Sequence, residues 1–149
     1  MKGLKYFLYI IIQCTWGILQ TLLGALLFLL NIRYEHSFYH GCIRTKWRKY
    51  GGVSLGLFIF VTDDEVVKIC DRMSVHEYGH TIQSLILGPL YLVVVGITSS
   101  VWCMSPYFQK KREDNNLPYS SFCIEKWADL LGEKITGGRS LQGYFFNEL

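Results

Sequence analysis

The sequence predicts an α+β protein held in a membrane, with a long apolar helix at its N-terminus, a β-hairpin, and further helices behind it. Three observations predict this. The run Leu4–Leu30 carries no charge after Lys5, and about 20 apolar residues suffice to cross the hydrocarbon core as a helix. Two stretches rich in β-branched and aromatic residues flank Tyr50-Gly51-Gly52, the pattern of paired strands. Beyond them His76 and His80 repeat at helical spacing ahead of a second apolar run, which marks a helix.

The composition points the same way. Half of the 149 residues are apolar and 18% are charged, against roughly 25% charged in an average soluble domain. The length suits a single domain over 1–149, with an anchor at 4–30, a metal-site region at 36–135 and a tail at 136–149. A formal net charge of +3 suits flanks that face anionic lipid, so the bilayer is the expected partner. No basic stripe with interleaved aromatics points to nucleic acid. Cys14, Cys42, Cys70, Cys103 and Cys123 form no C-x-x-C pair, which argues for scattered reduced thiols rather than a disulfide framework.

Leu4–Leu30 is too long for the apolar part of a signal peptide, and no small-residue cleavage pattern follows Leu30. It reads as one uncleaved transmembrane helix. Gln13, Thr15, Gln20 and Thr21 within it are expected to hydrogen-bond to another helix or to their own backbone; a transport pathway would need more spans. Arg33, Arg44, Lys46, Arg48 and Lys49 make the next segment basic. Phe38–Trp47 and Val53–Thr62 read as the two strands of one hairpin, the second ended by Asp63, Asp64 and Glu65. The second strand could hold an extended peptide by strand addition, or simply cover the core.

A helix capped by Asp71 or Ser74 follows and reaches Leu87, where Gly88-Pro89 breaks or kinks it. Leu90 and Tyr91 open the second apolar segment, which runs to about Met104 and is either re-entrant or spanning. The stretch Pro106–Pro118, with its "QKKREDNN", reads as a solvated loop. A last helix covers roughly Ser121–Lys134, and the tail from Gly137 reads as loosely ordered.

The chemistry lies in "HEYGH". On a helix His76 and His80 share a face one turn apart and can direct ring nitrogens at one Zn2+ ion, while Glu77 can reach a water there without being a ligand. Zinc would make that water acidic and polarise a carbonyl, and Glu77 would carry the proton. A third protein ligand is required. Gln83 and Ile86 stand where a metzincin has its glycine and last histidine, so the ligand must come from Glu113, Asp114, Glu125, Asp129, Glu133 or Glu148. Glu125 stands out because Asp129 follows one turn later and could accept the other N–H of a ligand histidine; a solvated acidic helix face has the same spacing.

"HEYGH" followed by "EKWADLLG" resembles the gluzincin metallopeptidases, and more narrowly the membrane-embedded CAAX prenyl protease and heat-shock membrane protease group, whose second motif is E-x-x-A-D-x-x-G. Here that motif would be Glu125, Ala128, Asp129 and Gly132. The resemblance implies zinc on His76, His80 and Glu125, with Glu77 as general base and Asp129 behind a ligand. It covers two short motifs in a chain much shorter than those families, so the substrate class does not carry over. Site-2 proteases also place H-E-x-x-H in a membrane helix, but they use an aspartate near Asp-Gly, a dipeptide missing here.

The expected activity is hydrolysis of a peptide bond in a membrane-associated protein or peptide, by an integral protein of the cell membrane with its metal near the cytoplasmic face. The rival is a non-catalytic zincin-like membrane protein with a structural or partner-binding role, which a closed four-ligand site would favour. The oxyanion donor is not fixed by the sequence; Tyr119 and His40 are candidates. His36 and His40, also four apart, would lie two pleats apart in a strand and are not expected to bind metal. One conflict stands out: if residues 86–104 cross the membrane, His76 and Glu125 end on opposite sides. A re-entrant segment removes it; otherwise Glu125 is not the ligand, and the motif is degenerate or completed by another chain.

Overall fold

The computed structural model describes residues 2–49, 51–63 and 69–142. Tyr50, Asp64, Glu65, Glu148 and the tail beyond 142, all of which figure in the expectations above, lie outside these residues. The fold is mixed α and β, with a small sheet on one side of a central helix.

The first apolar run is not one helix. It forms α1 (Lys2–Thr15) and α2 (Ile18–Leu30), bent by 96° at Trp16-Gly17. The cause is the disposition of its amides. Gln13 and Gln20 are fully buried, and a buried amide without a partner is costly. Gln13 Nε2 donates to Thr81 O at 3.0 Å, Gln20 Nε2 donates to Gly88 O at 3.0 Å and reaches Ser84 Oγ at 2.8 Å, and Ser84 Oγ donates to Gln13 Oε1 at 3.1 Å. Both groups therefore reach one helix, and the chain folds to let them. Thr21 closes the corner by donating to Gln13 O at 2.9 Å, and Thr15 bonds back to Ile11 O. No single helix among the described residues is long and apolar enough to cross a membrane.

The predicted hairpin is two hairpins. β1 (Glu35–Tyr39) and β2 (Cys42–Trp47) pair antiparallel, as do β3 (Val53–Leu55) and β4 (Phe58–Thr62). The two join through a parallel β2–β4 pair, with Ile43 opposite Phe58, giving the order β1-β2-β4-β3. Each stretch expected to be one strand thus carries a two-residue turn in its middle. His40 and Gly41 both have positive φ, and Gly56 has φ 60° ahead of Leu57; these are the backbone demands of tight hairpin turns. Ile59, Phe60 and Val61 of β4 are fully buried.

α3 (Ile69–Leu87) carries the histidine motif. It is already helical at Ile69, so neither proposed cap acts: Asp71 lies in the first turn, and Ser74 sits inside the helix, donating back to Cys70 O at 2.7 Å. Gly88-Pro89 does end it. A 3-10 turn (Gly88–Leu90) leads into a π-helical stretch (Leu92–Ile97) and α4 (Thr98–Met104), the axis bending by 119°. The segment 106–118 is largely exposed, as expected, but its first part is a helix and not a loop. Ser105 is extended and Pro106 opens α5 (Pro106–Asp114), where Gln, Lys, Arg and Glu are good helix formers. Arg112 is buried, its guanidinium 4.8 Å from the centre of the Trp102 ring. A 3-10 turn (Tyr119–Ser121) precedes α6 (Cys123–Thr136), which Gly137 ends in the left-handed conformation. The start of the tail is pinned, since Ser140 and Leu141 are buried and Ser140 bonds Glu133 Oε1.

Candidate metal centre

The site forms where α3 meets α6, and small residues set how closely they meet. A Cβ on Gly79 would collide with the backbone carbonyl of Ala128, and one on Gly132 with that of Val75. Ala128 and Gly132 are four apart, on the face of α6 that buries Glu125 and Asp129. In E-x-x-A-D-x-x-G the acidic residues therefore carry the donors, and the alanine and glycine let the helix approach the histidines.

His76, His80 and Glu125 come together, all buried, with one donor atom from each within 4.8 Å of the others. Glu125 Oε2 lies 3.1 Å from His76 Nε2 and 3.3 Å from His80 Nε2. A tetrahedral ion with bonds of about 2.0–2.1 Å separates its ligand atoms by about 3.3 Å, whereas a charge-assisted hydrogen bond settles at about 2.7–2.9 Å. The two Glu125 separations are close to the spacing of ligands around an ion, and all three donor atoms lie within 4.8 Å of one another. Glu125 Oε1 and Asp129 Oδ2 are buried without a hydrogen-bond partner, an arrangement costly for the protein alone. Two imidazoles and a carboxylate are also the three-ligand set of an open zinc site, so the residues fit such an ion.

Behind the donors, Asp129 Oδ1 accepts from His76 Nδ1 at 2.7 Å, as expected. His80 Nδ1 lies 2.7 Å from Gln83 Oε1, and Gln83 Nε2 donates to Ile124 O at 2.9 Å. This partner of His80 was not foreseen, although Gln83 lies three residues on along the same helix. Burial alone would raise the Glu125 carboxyl, but His80 and His76 outweigh it and hold the group well below the usual carboxylate range.

A cavity of about 550 Å³ opens beside these residues, lined by His76, Glu77, His80, Tyr119, the β3 segment and one face of the Tyr91–Met104 stretch. Glu77 is buried, and a Cβ on Gly52 would collide with its carboxylate, so the chain entering β3 runs directly against it. β3 pairs only with β4, and its other side borders the cavity; Tyr91 OH donates to Ser54 O there at 3.0 Å. Tyr119 stands 6.2 Å from His76, ring centre to ring centre. Burial, and then the nearby Glu125 charge, push its phenol well above the ordinary value, so it stays a donor.

His40 is elsewhere. It occupies the β1–β2 turn with its ring 5.4 Å from that of Tyr78 and is not part of the cavity wall. That removes it as an oxyanion donor. His36 is engaged at both nitrogens, with Thr45 Oγ1 at 3.0 Å and Ile32 O at 3.1 Å. Among the described residues, His76, His80 and Glu125 are the one cluster able to hold a metal. Comparison of the chain with protein-family models, curated proteins and solved structures found no match in any of the three.

Proposed function

We propose that this chain is a membrane-inserted, zinc-dependent peptidase acting on a membrane-associated protein or peptide. The observation that carries the reading is the buried cluster of His76, His80 and Glu125, whose two histidines share the wall of a 550 Å³ cavity with Glu77. Bound zinc supplies a Lewis acid for the scissile carbonyl and makes water acidic near neutral pH. The chain's own residues do the rest. His76, His80 and Glu125 hold the ion, and Asp129 keeps the His76 ring turned so that Nε2 faces it. Glu77, on the cavity side, takes a proton from water and returns it to the leaving amine. Tyr119, a protonated phenol on the same wall, donates to the developing oxyanion. The β3 segment, which lines the cavity, forms the wall along which an extended substrate lies. An open cavity beside a three-ligand cluster supports the enzyme over the non-catalytic rival, which calls for a closed site.

Membrane insertion rests on the distribution of apolar side chains. Leu4, Phe7, Leu22, Leu26, Leu29 and Leu30 are each at least half exposed on α1 and α2, as are Val93 and Ile97 on the π-helical stretch; a soluble monomer rarely shows so large an apolar patch. The two bent helix pairs enter the bilayer without separating His76 from Glu125, which removes the topological conflict. The exposed Arg33, Lys110 and Lys111 suit the cytoplasmic face of a cell membrane. The first test is bound zinc per chain and cleavage of a labelled peptide library in detergent, for wild type, Glu77→Gln and Glu125→Ala. One zinc per wild-type chain and cleavage that Glu77→Gln abolishes would support the reading. A wild type that takes up no zinc sinks it.

A further inference from the structure

We infer that Gln83 is a positioning residue of the metal centre, fixing which nitrogen of His80 faces the ion and how far that ring stands from the helix that carries Glu125. The inference rests on the reading of His76, His80 and Glu125 as metal ligands. Gln83 is fully buried, and both ends of its amide are engaged. The Ile124 carbonyl can only accept, so the group 2.9 Å from it must be the amide nitrogen. The amide oxygen then faces His80 Nδ1 at 2.7 Å. An oxygen there requires the proton on Nδ1, which leaves Nε2, 3.3 Å from Glu125 Oε2, to face the ion.

One planar side chain therefore runs from one ligand to the residue before another. A glutamine kept only to fill space would satisfy backbone groups; this one spends its oxygen on a ligand ring. The two histidines are held differently, His76 by the Asp129 carboxylate and His80 by a neutral amide. Neutrality suits the place. Glu77, Glu125 and Asp129 already bury three carboxyl groups around the centre, and a fourth charge would add to the desolvation cost.

The test uses the full chain in detergent as wild type, Gln83→Met and Gln83→Glu. Zinc affinity is measured by chelator competition, the Co2+-substituted protein by visible absorption, and the metal-free protein by thermal melting. Methionine keeps the buried volume and removes both amide ends; glutamate keeps an acceptor for His80 and loses the donor to Ile124. Gln83→Met should weaken zinc binding by about 10–100-fold and change the Co2+ bands, while Gln83→Glu, which keeps the acceptor for His80 but adds a buried charge, weakens it less. Wild-type affinity in Gln83→Met overturns the inference. Equal weakening in both variants also overturns it, by moving the effect to the Ile124 bond. If melting shows that Gln83→Met does not fold, the glutamate variant decides: wild-type Co2+ bands support the inference and altered bands overturn it. A wild type that binds no metal brings down the ligand reading itself, whereas metal binding indifferent to Gln83 brings down this inference alone.

Discussion

α3 has two working faces, and they are built on different principles. Towards α6 it approaches backbone against backbone at two points, Gly79 on Ala128 and Gly132 on Val75, with the buried Gln83 amide bridging to Ile124 O. Towards α1 and α2 it is met by long amides, Gln13 and Gln20, which reach across to Thr81, Ser84 and Gly88. The first contact sets how near Glu125 lies to His76 and His80, 3.1 and 3.3 Å, and a close-packed interior transmits even small displacements. The second has only to keep an apolar corner attached, so extended, adjustable hydrogen bonds suffice. Where the helices must approach closely the protein uses glycine and alanine, and where it ties on the apolar corner it uses Gln13 and Gln20.

Predictions can break that contrast or sharpen it. The largest effect belongs to Glu77, which takes part in neither contact. Glu77→Gln should lower peptide cleavage by about 10²–10⁴-fold while zinc content and melting temperature stay at wild-type values; zinc loss in this variant would make Glu77 a ligand. Next comes Glu125→Ala. Structural zinc sites bind with about 10–16 kcal/mol over four ligands, so loss of one should weaken binding by at least about 100-fold in chelator competition. Unchanged affinity would remove Glu125 from the centre.

Gly79→Ala probes the rigid face. The added methyl must push α6 away, at about 1–3 kcal/mol of stability, and zinc should be lost more completely than that destabilisation alone explains. Calorimetry beside metal titration reads both. The smallest effect is that of Gln13→Leu on the other face. It leaves Thr81 O and Ser84 Oγ short of a partner, costing about 1–3 kcal/mol, with zinc affinity unchanged once the protein is folded. Zinc loss here equal to that in Gly79→Ala would erase the distinction between the faces.

The buried cluster of His76, His80 and Glu125 was partly legible in the sequence because local spacing encodes it: His76 and His80 are four apart, as are Glu125 and Asp129, and each pair shares a helical face. Gln83 was not legible in this way, since its role depends on Ile124, a residue of a different helix. The first apolar run misled for a related reason. Its hydropathy is that of a span, but the bend follows from the partners of Gln13 and Gln20 on α3, which no local pattern contains. In the sheet the signal was present and outcompeted. His40-Gly41 and Gly56-Leu57 are turn sequences, yet Gly51-Gly52 looked stronger and drew the single-hairpin reading. "QKKREDNN" reads as a solvated loop by its charge, although its residues favour a helix and Pro106 stands ready to start one.

The amide bridges also set a timetable for biosynthesis. Gln13 and Thr81 are 68 residues apart, and at roughly 5–20 residues per second of translation the glutamine waits about 3–14 s for its acceptor to be made. During that interval α1 and α2 already display their apolar faces while α3 does not yet exist. Until α3 is made, Gln13 and Gln20 lack the acceptors the folded protein gives them, and α3 docks onto a segment synthesised before it. The end of the chain that is made first is the seat on which the chemistry is later assembled.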